Sequence, residues 1–576
     1  MGEKMANNHI GYVVRVARDA VYIAVNDNVL KDVAIRGKFL EIQTRSGRKL
    51  VGIVTYFNLY DELYHASRGR IEMIEEYEKL IRSRNEIIVA LLGTLIDENG
   101  KRYVERKIET YPTPGDKVYI LSKEVLKEIF GNGDIRIGCL TTEKDVSVCL
   151  NLNELATKHL AILAMTGSGK SNALGVLVAR IMKEFPNSRI VIIDTHSEYI
   201  DFARKDSPLS DKAIVFCPLE KFKKVYEERG IRVKSIEIPY WLLTIEEWFS
   251  LLGLDPRATR QRRIFRMALR DIKRRKFKDA KLNDPIYFNI EELCKRLSSS
   301  AGRDVSATEV LTKLEDALES EEYNFVLYPE KTKKVREEKG DVEAFLSVIK
   351  PLLFEPGLKI IALGGLSAEV QIAVVSMILR SLFRIAVESK LLGRPIPTMV
   401  AVEEAHIYAP KDYSVPSKPI LERIAKEGRK FGIGLIVISQ RPRELSETVL
   451  AQCGTLIALR TVNPSDQRHI QNSLEDITSA LALSLPGLGT GEAVVSGRAI
   501  SIPCIVKIDY FDEVMEREYN KRLSLSGKDI DFRELWSKPL EEEVIHKIIR
   551  EIIPEFPSGS ETTNEAKSQK ITQFFG

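Results

Sequence analysis

A glycine-rich segment that follows an apolar run is the part of this chain best suited to chemistry. The apolar residues 159–163 lead into Ala164, and the pattern A-x-x-x-x-G-K-S ends at Ser171. Backbone N–H groups of such a turn face one anion, Lys170 can reach the β- and γ-phosphates of a nucleotide, and the Ser171 hydroxyl can hold Mg²⁺. The usual first glycine is Ala164 here, so the turn at this position needs only a negative φ. The segment predicts an ATP and Mg²⁺ site formed by Thr166, Gly167, Ser168, Gly169, Lys170, Ser171 and Asn172.

Two consecutive acids end a later apolar strand. Residues 398–402 read as a buried parallel strand, and Glu403 and Glu404 follow it directly. Open parallel sheets place their ligand sites at the carboxyl edge of the strands. We therefore expect Glu403 to support Mg²⁺, directly or through water, and Glu404 to act on the water that attacks the nucleotide. Aspartate is the more usual residue on the metal side, and the longer Glu403 side chain favours a contact through water.

Two further polar side chains flank the next apolar strand, residues 433–439. Gln440 follows this strand, where its amide could sense the γ-phosphate and couple hydrolysis to motion; the alternative is a polar turn before Pro442. Arg429 precedes the strand within E-G-R-K-F-G. An arginine supplied by an adjacent subunit would neutralise charge that develops on the transferred phosphoryl group.

The surrounding sequence predicts an α/β protein with several domains. Short β-rich runs predict a small N-terminal β-barrel over residues 1–145, with one helical stretch at 72–81. Alternating apolar strands and helices predict a RecA-like, doubly wound P-loop ATPase core over 146–237 and 351–510. Helical periodicity predicts an insertion at 238–350 and a C-terminal helical extension at 511–556, and the polar residues 557–576 predict a flexible tail.

Composition restricts the class of protein. The chain has 576 residues, a formal net charge of +4, and six cysteines without a C-x-x-C pair, which favours a reduced, intracellular protein without structural zinc. The N-terminus lacks an apolar secretory core, and the longest apolar stretch, near 370–387, is interrupted by Gln371, Arg380 and Arg384. We therefore expect no membrane span and a cytoplasmic, nucleoid-associated location.

Several motifs in one order resemble the HerA branch of the FtsK/HerA translocase superfamily. They are K-H-L-A-I-L before the phosphate loop, D-T-H-S-E-Y at 194–199, V-E-E-A-H at 402–406, E-G-R-K-F-G, S-Q-R-P and G-L-G-T-G-E-A at 487–493. The resemblance implies a ring-forming, hexameric ATPase that moves double-stranded DNA and works with a NurA-type nuclease on DNA ends in archaeal recombinational repair. The resemblance also implies roles for individual residues. Lys170 and Ser171 would bind phosphates, Glu404 would be the catalytic carboxylate, and Gln440 would sense the nucleotide. Arg429 would be a finger that acts on the neighbouring subunit, Asp194 would support the metal or water, and Lys158 would make a basic contact to the nucleotide.

Two peripheral segments could bind partners. Eleven basic residues crowd 257–278, and Arg262, Arg266 and Arg270 could contact DNA phosphates without sequence preference. The alternative is a solvated helix that pairs with the acids near 315–322. In the terminal tail, Ile571, Phe574 and Phe575 have the spacing of a sliding-clamp-binding peptide, and the alternative is packing of the tail onto its own domain.

Two rival functions remain open at this point. A packaging, conjugation or secretion-type motor ATPase would share the core, although such motors usually carry membrane anchors. A nucleotide-gated DNA clamp or scaffold would bind ATP and barely hydrolyse it, which the set of Glu404, Gln440 and Arg429 disfavours. A small-molecule kinase is disfavoured because no acceptor pocket is evident.

Overall fold

A computed structural model describes residues 9–17, 20–25, 27–61, 83–301, 304–473, 479–520 and 523. The chain divides into two compact units, residues 1–527 and 528–576, and every described residue belongs to the first. The predicted helix at 72–81, most of the predicted C-terminal extension and the whole clamp-binding peptide, with Ile571, Phe574 and Phe575, lie outside the described residues.

An antiparallel barrel forms the N-terminal part of the described chain. Its strands pair in the ring β2–β1–β7–β3–β4–β5, and β5 pairs back to β2, so these six strands close into a barrel. Side chains that alternate along the strands, such as Ile10, Ile23 and Val118, fill its interior. The predicted barrel is confirmed. Its strands and the adjoining β6 are β1 (His9–Ala17), β2 (Ala20–Val25), β3 (Phe39–Gln43), β4 (Lys49–Asp61), β5 (Ser83–Glu98), β6 (Lys101–Glu105) and β7 (Lys117–Ile120).

A mixed sheet forms the core of the described chain. Its twelve strands follow the order β13–β12–β14–β11–β15–β16–β10–β17–β18–β19–β8–β9; neighbours from β13 to β17 are parallel and the rest are antiparallel. The bounds are β8 (Ile135–Leu140), β9 (Ser147–Leu150), β10 (Leu160–Leu163), β11 (Arg189–Asp194), β12 (Ala213–Cys217), β13 (Val233–Ser235), β14 (Gly357–Ala362), β15 (Thr398–Val402), β16 (Ile433–Ser439), β17 (Thr455–Leu459), β18 (Glu492–Gly497) and β19 (Cys504–Ile508).

The central parallel strands are buried along their whole length. Every residue of β10, β14, β15 and β16 is buried. Since successive side chains of a strand point to opposite faces, both faces of the sheet are covered. The covering helices of the core are Lys123–Gly131, Leu152–Lys158, Lys170–Glu184, Glu220–Glu228, Ala368–Leu391, Ala405–Tyr408, Ser417–Phe431, Glu447–Ala451, Pro464–Ser473, Ser479–Ala482 and Phe511–Tyr519, and Leu30–Val33 lies in the barrel region.

The predicted helical insertion follows β13. It contains the helices Ile245–Leu251, Thr259–Lys276, Ile290–Ala301, Val305–Glu319, Asn324–Leu327, Glu330–Lys339 and Asp341–Ile349. A buried ion pair ties it to the core: Arg380 of the core helix Ala368–Leu391 donates to both oxygens of Glu247, at 3.0 and 2.9 Å. Glu247 also closes the capping box of its own helix with Thr244.

The helix Ala368–Leu391 contains the long apolar stretch seen in the sequence. Among the described residues it is the one helix long and apolar enough to cross a bilayer, with a mean hydropathy of 1.8 over its most apolar part. That part is 72% buried within the fold, where the helix contacts the helices Ser417–Phe431 and Ile245–Leu251. The helix is therefore buried in the way that a core helix of a folded domain is buried.

The sheet pairings divide the chain differently from the predicted boundary at residue 145. β8 pairs with β19 and with β9, so residues 135–140 belong to the core sheet although the sequence grouped them with the barrel. The prediction also missed β18 and β19 as members of the sheet edge. β19 pairs antiparallel with β8 across more than 350 residues of sequence, and this partnership leaves no local signal.

Candidate nucleotide-binding site

The glycine-rich segment connects β10 to the helix Lys170–Glu184, as predicted. Gly167 and Gly169 have φ angles of 74° and 106°, the left-handed region that favours glycine, whereas Ala164 does not. The hydroxyl of Ser168 donates to the carbonyl of Met165 at 2.6 Å, which tightens the turn. The carbonyl of Ser168 accepts from Gly491 N at 3.0 Å, so the G-L-G-T-G-E segment supports the loop from behind.

Four predicted catalytic and phosphate-binding side chains meet at this loop. Lys170 Nζ donates to Glu404 Oε1, and Gln440 Nε2 donates to the same oxygen at 2.6 Å. Thr166 Oγ1 donates in turn to Gln440 Oε1. The order β15–β16–β10 explains the meeting, because parallel neighbours bring Glu404, Gln440 and the phosphate loop to one sheet edge.

Glu404 is held in an unusual conformation and stays ionised. Its φ and ψ are 46° and 47°, a left-handed backbone that glutamate rarely adopts and that accumulates at functional sites. Burial acts most strongly and would raise the pKa of Glu404, but the charge and hydrogen bond of Lys170, together with His406 and the hydrogen bond from Gln440, bring the pKa below its ordinary value. His406 Nδ1 lies 3.3 Å from Glu404 Oε2 and 3.1 Å from Ser439 Oγ. Burial lowers the pKa of His406, which keeps this ring neutral at physiological pH.

Glu403 and Asp194 form a second, deeper acidic pair. Both side chains are fully buried. Burial raises the pKa of Asp194 to about 7, and burial together with the Asp194 charge raises the pKa of Glu403 well above its ordinary value. Both carboxyl groups therefore take up a proton at a higher pH than an exposed carboxylate does. Asp194 also accepts backbone N–H groups of Glu198 and Tyr199 at 2.9 and 3.0 Å.

The residues around Ser171 fit a hydrated Mg²⁺ ion. Ser171 Oγ donates to Glu198 Oε2. Glu403 Oε1 and Tyr199 Oη are buried atoms to which the described part of the structure gives no hydrogen-bond partner, and Glu403 Oε1 lies 3.7 Å from Lys170 Nζ. Hydroxyl and carboxylate oxygens are the ligands that Mg²⁺ prefers, directly or through its waters. Buried polar atoms without partners are those that a bound ion and its waters would satisfy.

Comparisons with known proteins agree with this geometry. The family model described as the central domain of helicase HerA matches residues 135–382, and the HerA-like C-terminal model matches residues 373–510. A probable helicase of Methanocaldococcus jannaschii is 32% identical over 81% of this chain and 83% of that protein. The DNA double-strand break repair helicase HerA of Sulfurisphaera tokodaii is 31% identical over 92% of this chain and 97% of that protein. The chain belongs to the HerA helicase family.

The structure of VirB4 of Thermoanaerobacter pseudethanolicus aligns with 66% of this HerA-family chain and 97% of that chain, at 18% identity and a TM-score of 0.44. As a member of the HerA family, the protein is an ATP-hydrolysing enzyme of the helicase and translocase class.

Two predicted nucleotide contacts of this HerA-family chain, Arg429 and Lys158, lie away from the phosphate loop of their own chain, and a third, Asn172, has its side chain engaged with backbone. Arg429 is exposed at the end of the helix Ser417–Phe431, before β16, whereas Gln440 follows β16; the seven-residue strand separates them by about 20 Å. Lys158 likewise precedes β10, while the phosphate loop follows it. The side chain of Asn172 is engaged with backbone, since it donates to Asp509 O at 3.0 Å and accepts from Phe511 N at 2.7 Å.

The basic helix Thr259–Lys276 has intramolecular partners that the sequence did not predict. Arg262 and Arg266 both pair with Glu246, the latter at 3.2 Å, and Arg262 also lies 4.3 Å from the ring centre of Phe249. The acids near 315–322, which were the expected partners, are not those used by these two arginines. Arg270 is exposed. The helix therefore keeps part of its basic surface accessible, while Arg262 and Arg266 are partly neutralised.

Two residues of the site were not assigned from the sequence. His406 contacts the catalytic candidate Glu404, and Glu198 contacts Ser171. Both belong to motifs that the resemblance quoted, V-E-E-A-H and D-T-H-S-E-Y. Their presence in these motifs was the available signal, but only the folded chain shows which side chains they contact.

Proposed function

We propose that this HerA-family ATPase is a ring motor that translocates double-stranded DNA. One observation carries the proposal: Lys170, Glu404 and Gln440 meet in a single chain at the edge where a P-loop site binds a triphosphate. A residue that orients or deprotonates water and a residue that senses the phosphate are the parts that distinguish a hydrolysing ATPase from a protein that only binds the nucleotide.

The side chains of the site divide the work of hydrolysis. Lys170 and the backbone N–H groups of the loop bind the phosphates of ATP, and Ser171 and Glu403 hold Mg²⁺, which neutralises phosphate charge. Glu404 is ionised and buried, so it can accept a proton from the attacking water. Gln440 donates to Glu404 and can turn to the γ-phosphate when Lys170 leaves that carboxylate. A change of this kind in Gln440 would transmit the nucleotide state to the strand β16.

The position of Arg429 favours a ring of subunits over a monomer as the active form. It lies on the edge of the sheet opposite the phosphate loop of its own chain, and Lys158 lies on the same edge. The helices that carry these two cations contact each other. In a ring of identical subunits each interface is head-to-tail, so this edge of one subunit can face the phosphate loop of the next. We propose a homo-hexamer in which Arg429, aided by Lys158, completes the neighbouring site.

The substrate and partners follow from the family. We propose that the motor acts on duplex DNA ends with a NurA-type nuclease in recombinational repair, in the cytoplasm and associated with the nucleoid. The named DNA double-strand break repair helicases of Sulfurisphaera tokodaii and Pyrococcus furiosus support this proposal, at 31% and 28% identity over most of each chain. Arg270 and its exposed basic neighbours on the helix Thr259–Lys276 are the proposed phosphate contacts, with smaller contributions from Arg262 and Arg266 because Glu246 pairs with both.

A subunit-mixing experiment tests the proposal. Glu404→Gln removes the base and Arg429→Ala removes the finger, so each variant alone should lose at least about a hundredfold in duplex-stimulated ATPase rate. A mixed ring contains interfaces that join an intact Glu404 to an intact Arg429, and these should restore ATPase activity and the displacement of streptavidin from biotinylated duplex ends. Lys430→Ala, which removes the neighbouring exposed cation, is the matched control and should behave as wild type.

Two outcomes would contradict the proposal. Absence of any recovery on mixing, in particles whose mass shows that both variants co-assemble, would exclude a finger supplied in trans by Arg429. Turnover by a wild-type monomer that duplex DNA does not change would exclude the ring motor itself.

A further inference from the structure

A tightly built turn brings Glu198 to the phosphate loop. Asp194 at the end of β11 accepts the N–H groups of Glu198 and Tyr199 at 2.9 and 3.0 Å. Ser197 has a left-handed backbone with φ of 60°, and its hydroxyl accepts from Gly364 N at 3.2 Å. These contacts reverse the chain after β11, so the position of Glu198 is set by backbone hydrogen bonds rather than by a loose loop.

The side chain of Glu198 then accepts the hydrogen of the Ser171 hydroxyl. A serine hydroxyl has one hydrogen and two lone pairs. When its oxygen binds a metal ion, the hydrogen must point away from the metal and needs an acceptor. Glu198 Oε2 provides that acceptor, so a lone pair of Ser171 is free to face the ion. Glu198 Oε1 remains available for a second hydrogen bond.

An independent observation marks a polar ligand beside this pair. The Tyr199 hydroxyl is fully buried without a hydrogen-bond partner in the described structure, and its neighbours include Ser171 and the carboxylates of Glu403, Glu198 and Asp194. Glu403 Oε1 is buried and unpartnered in the same region. Water molecules carried by a bound cation would satisfy both atoms.

The charges around the loop require such a cation. Glu198, Glu403, Glu404 and Asp194 lie around Lys170 and Ser171, and a triphosphate adds further negative charge. Glu198 and Glu404 alone already outnumber the single ammonium group of Lys170, before the charge of the phosphates is added. A divalent ion placed between Ser171 and the acids therefore makes nucleotide binding favourable, and an acid that positions the ion becomes part of the affinity for ATP.

We propose that Glu198 is a positioning residue of the Mg²⁺ site. It orients the Ser171 hydroxyl through Oε2 and accepts a hydrogen bond from a metal-bound water through Oε1. This role deepens the proposed function and rests on it, since the site must take Mg²⁺ together with ATP. Partners of this kind fix the orientation of a metal ligand, and their loss weakens metal binding by about 10- to 100-fold.

Metal-dependent nucleotide binding tests the role without measuring turnover. The full-length protein is first titrated with a fluorescent non-hydrolysable ATP analogue in EDTA. Mg²⁺ is then added to find the Mg²⁺ concentration at the midpoint of the rise in affinity for the analogue. Mn²⁺ with the same analogue reports metal binding directly by electron paramagnetic resonance. The variants are Glu198→Ala and the nearly isosteric Glu198→Gln. Glu220→Ala is the matched control, because Glu220 accepts the Ser235 hydroxyl in the same way at the start of a helix that follows β12.

We expect Glu198→Ala to raise the Mg²⁺ midpoint by about 10- to 100-fold, with affinity in EDTA changed by less than about twofold. Glu198→Gln should give an intermediate rise, because its amide oxygen still accepts the serine hydrogen while its amide nitrogen cannot accept one from water. Glu220→Ala should leave both values unchanged. An unchanged midpoint in the folded Glu198→Gln and Glu198→Ala proteins, or an equal loss of affinity in EDTA, overturns the proposal. Failure of the wild-type protein to bind the analogue at all contradicts the proposed function as well.

Discussion

The chain places its catalytic carboxylate on the lysine that must bind phosphate. Lys170 and Glu404 form an ion pair in which the side chains are only 8% and 4% exposed. A triphosphate must displace Glu404 from Lys170, so the pair competes with the nucleotide. Glu404→Gln keeps the shape of the side chain and removes the charge. We therefore expect this variant to bind ATP more tightly than the wild-type protein while losing turnover.

The size of the effect follows from Coulomb's law. At an effective dielectric constant of about 20, unit charges about 4 Å apart attract by about 4 kcal/mol. The glutamine still accepts a hydrogen bond from Lys170, so only part of this energy is released. If the wild-type ion pair is more stable than the corresponding contact in Glu404→Gln by a third of this energy, about 1.4 kcal/mol, the Kd of Glu404→Gln for ATP is about tenfold lower than that of the wild-type protein. Loss of repulsion between Glu404 and the γ-phosphate acts in the same direction.

Isothermal titration with a non-hydrolysable ATP analogue in Mg²⁺ measures this change. We expect a Kd at least about tenfold lower for Glu404→Gln, together with a fall of about 10²- to 10⁴-fold in ATPase rate. Gln440→Ala is the control, because it removes a hydrogen bond to the same carboxylate, at 2.6 Å, without changing the charge. Its Kd should stay within about threefold of the wild-type value. A Glu404→Gln protein that binds the analogue no better than wild type would refute the competition.

Two further predictions concern stability. Burial lowers the pKa of the His159 ring to about 4, and Leu435 N donates to its Nδ1 at 3.1 Å. Since the ring in the unfolded chain titrates near 6.5, the free energy of unfolding is fully present above about pH 6.5 and falls by about 3 kcal/mol toward pH 4. Thermal melts across this pH range should show a smaller loss of stability in His159→Gln than in the wild-type protein. Asn172 and Arg180 hold the C-terminal helix Phe511–Tyr519 on the P-loop helix, with Arg180 Nη2 at 2.6 Å from Asp509 and 2.7 Å from Glu518. Asn172→Ala should therefore speed hydrogen exchange across residues 511–519 by about 10-fold or more without changing exchange in the barrel, and equal exchange in both proteins would show that Asn172 does not anchor this helix.

Much of the fold was accessible from local sequence signals. The apolar runs that became β10, β11, β15, β16 and β17 are buried on both faces, so they carry a continuous hydrophobic pattern that does not depend on their neighbours. The barrel strands alternate between inside and outside positions, which is equally local. The antiparallel edge β18–β19–β8–β9 gave no such signal, because β8 comes from the N-terminal part of the chain and finds β19 only on folding.

The candidate site likewise combines features that follow from local sequence with contacts that only the fold creates. The sequence by itself determined the chemistry: a glycine-rich loop with Lys170 and Ser171, acids at the end of one strand, and Gln440 at the end of another. Only the tertiary structure decided which groups meet, because the strand order β15–β16–β10 places Glu404 and Gln440 on Lys170, and the turn after β11 places Glu198 on Ser171. It also placed Arg429 on the far edge of the sheet and paired Arg262 with Glu246. Residue type and spacing fix what a side chain can do, whereas its partners depend on contacts between segments far apart in the chain, and these contacts are set by the packing of the whole core.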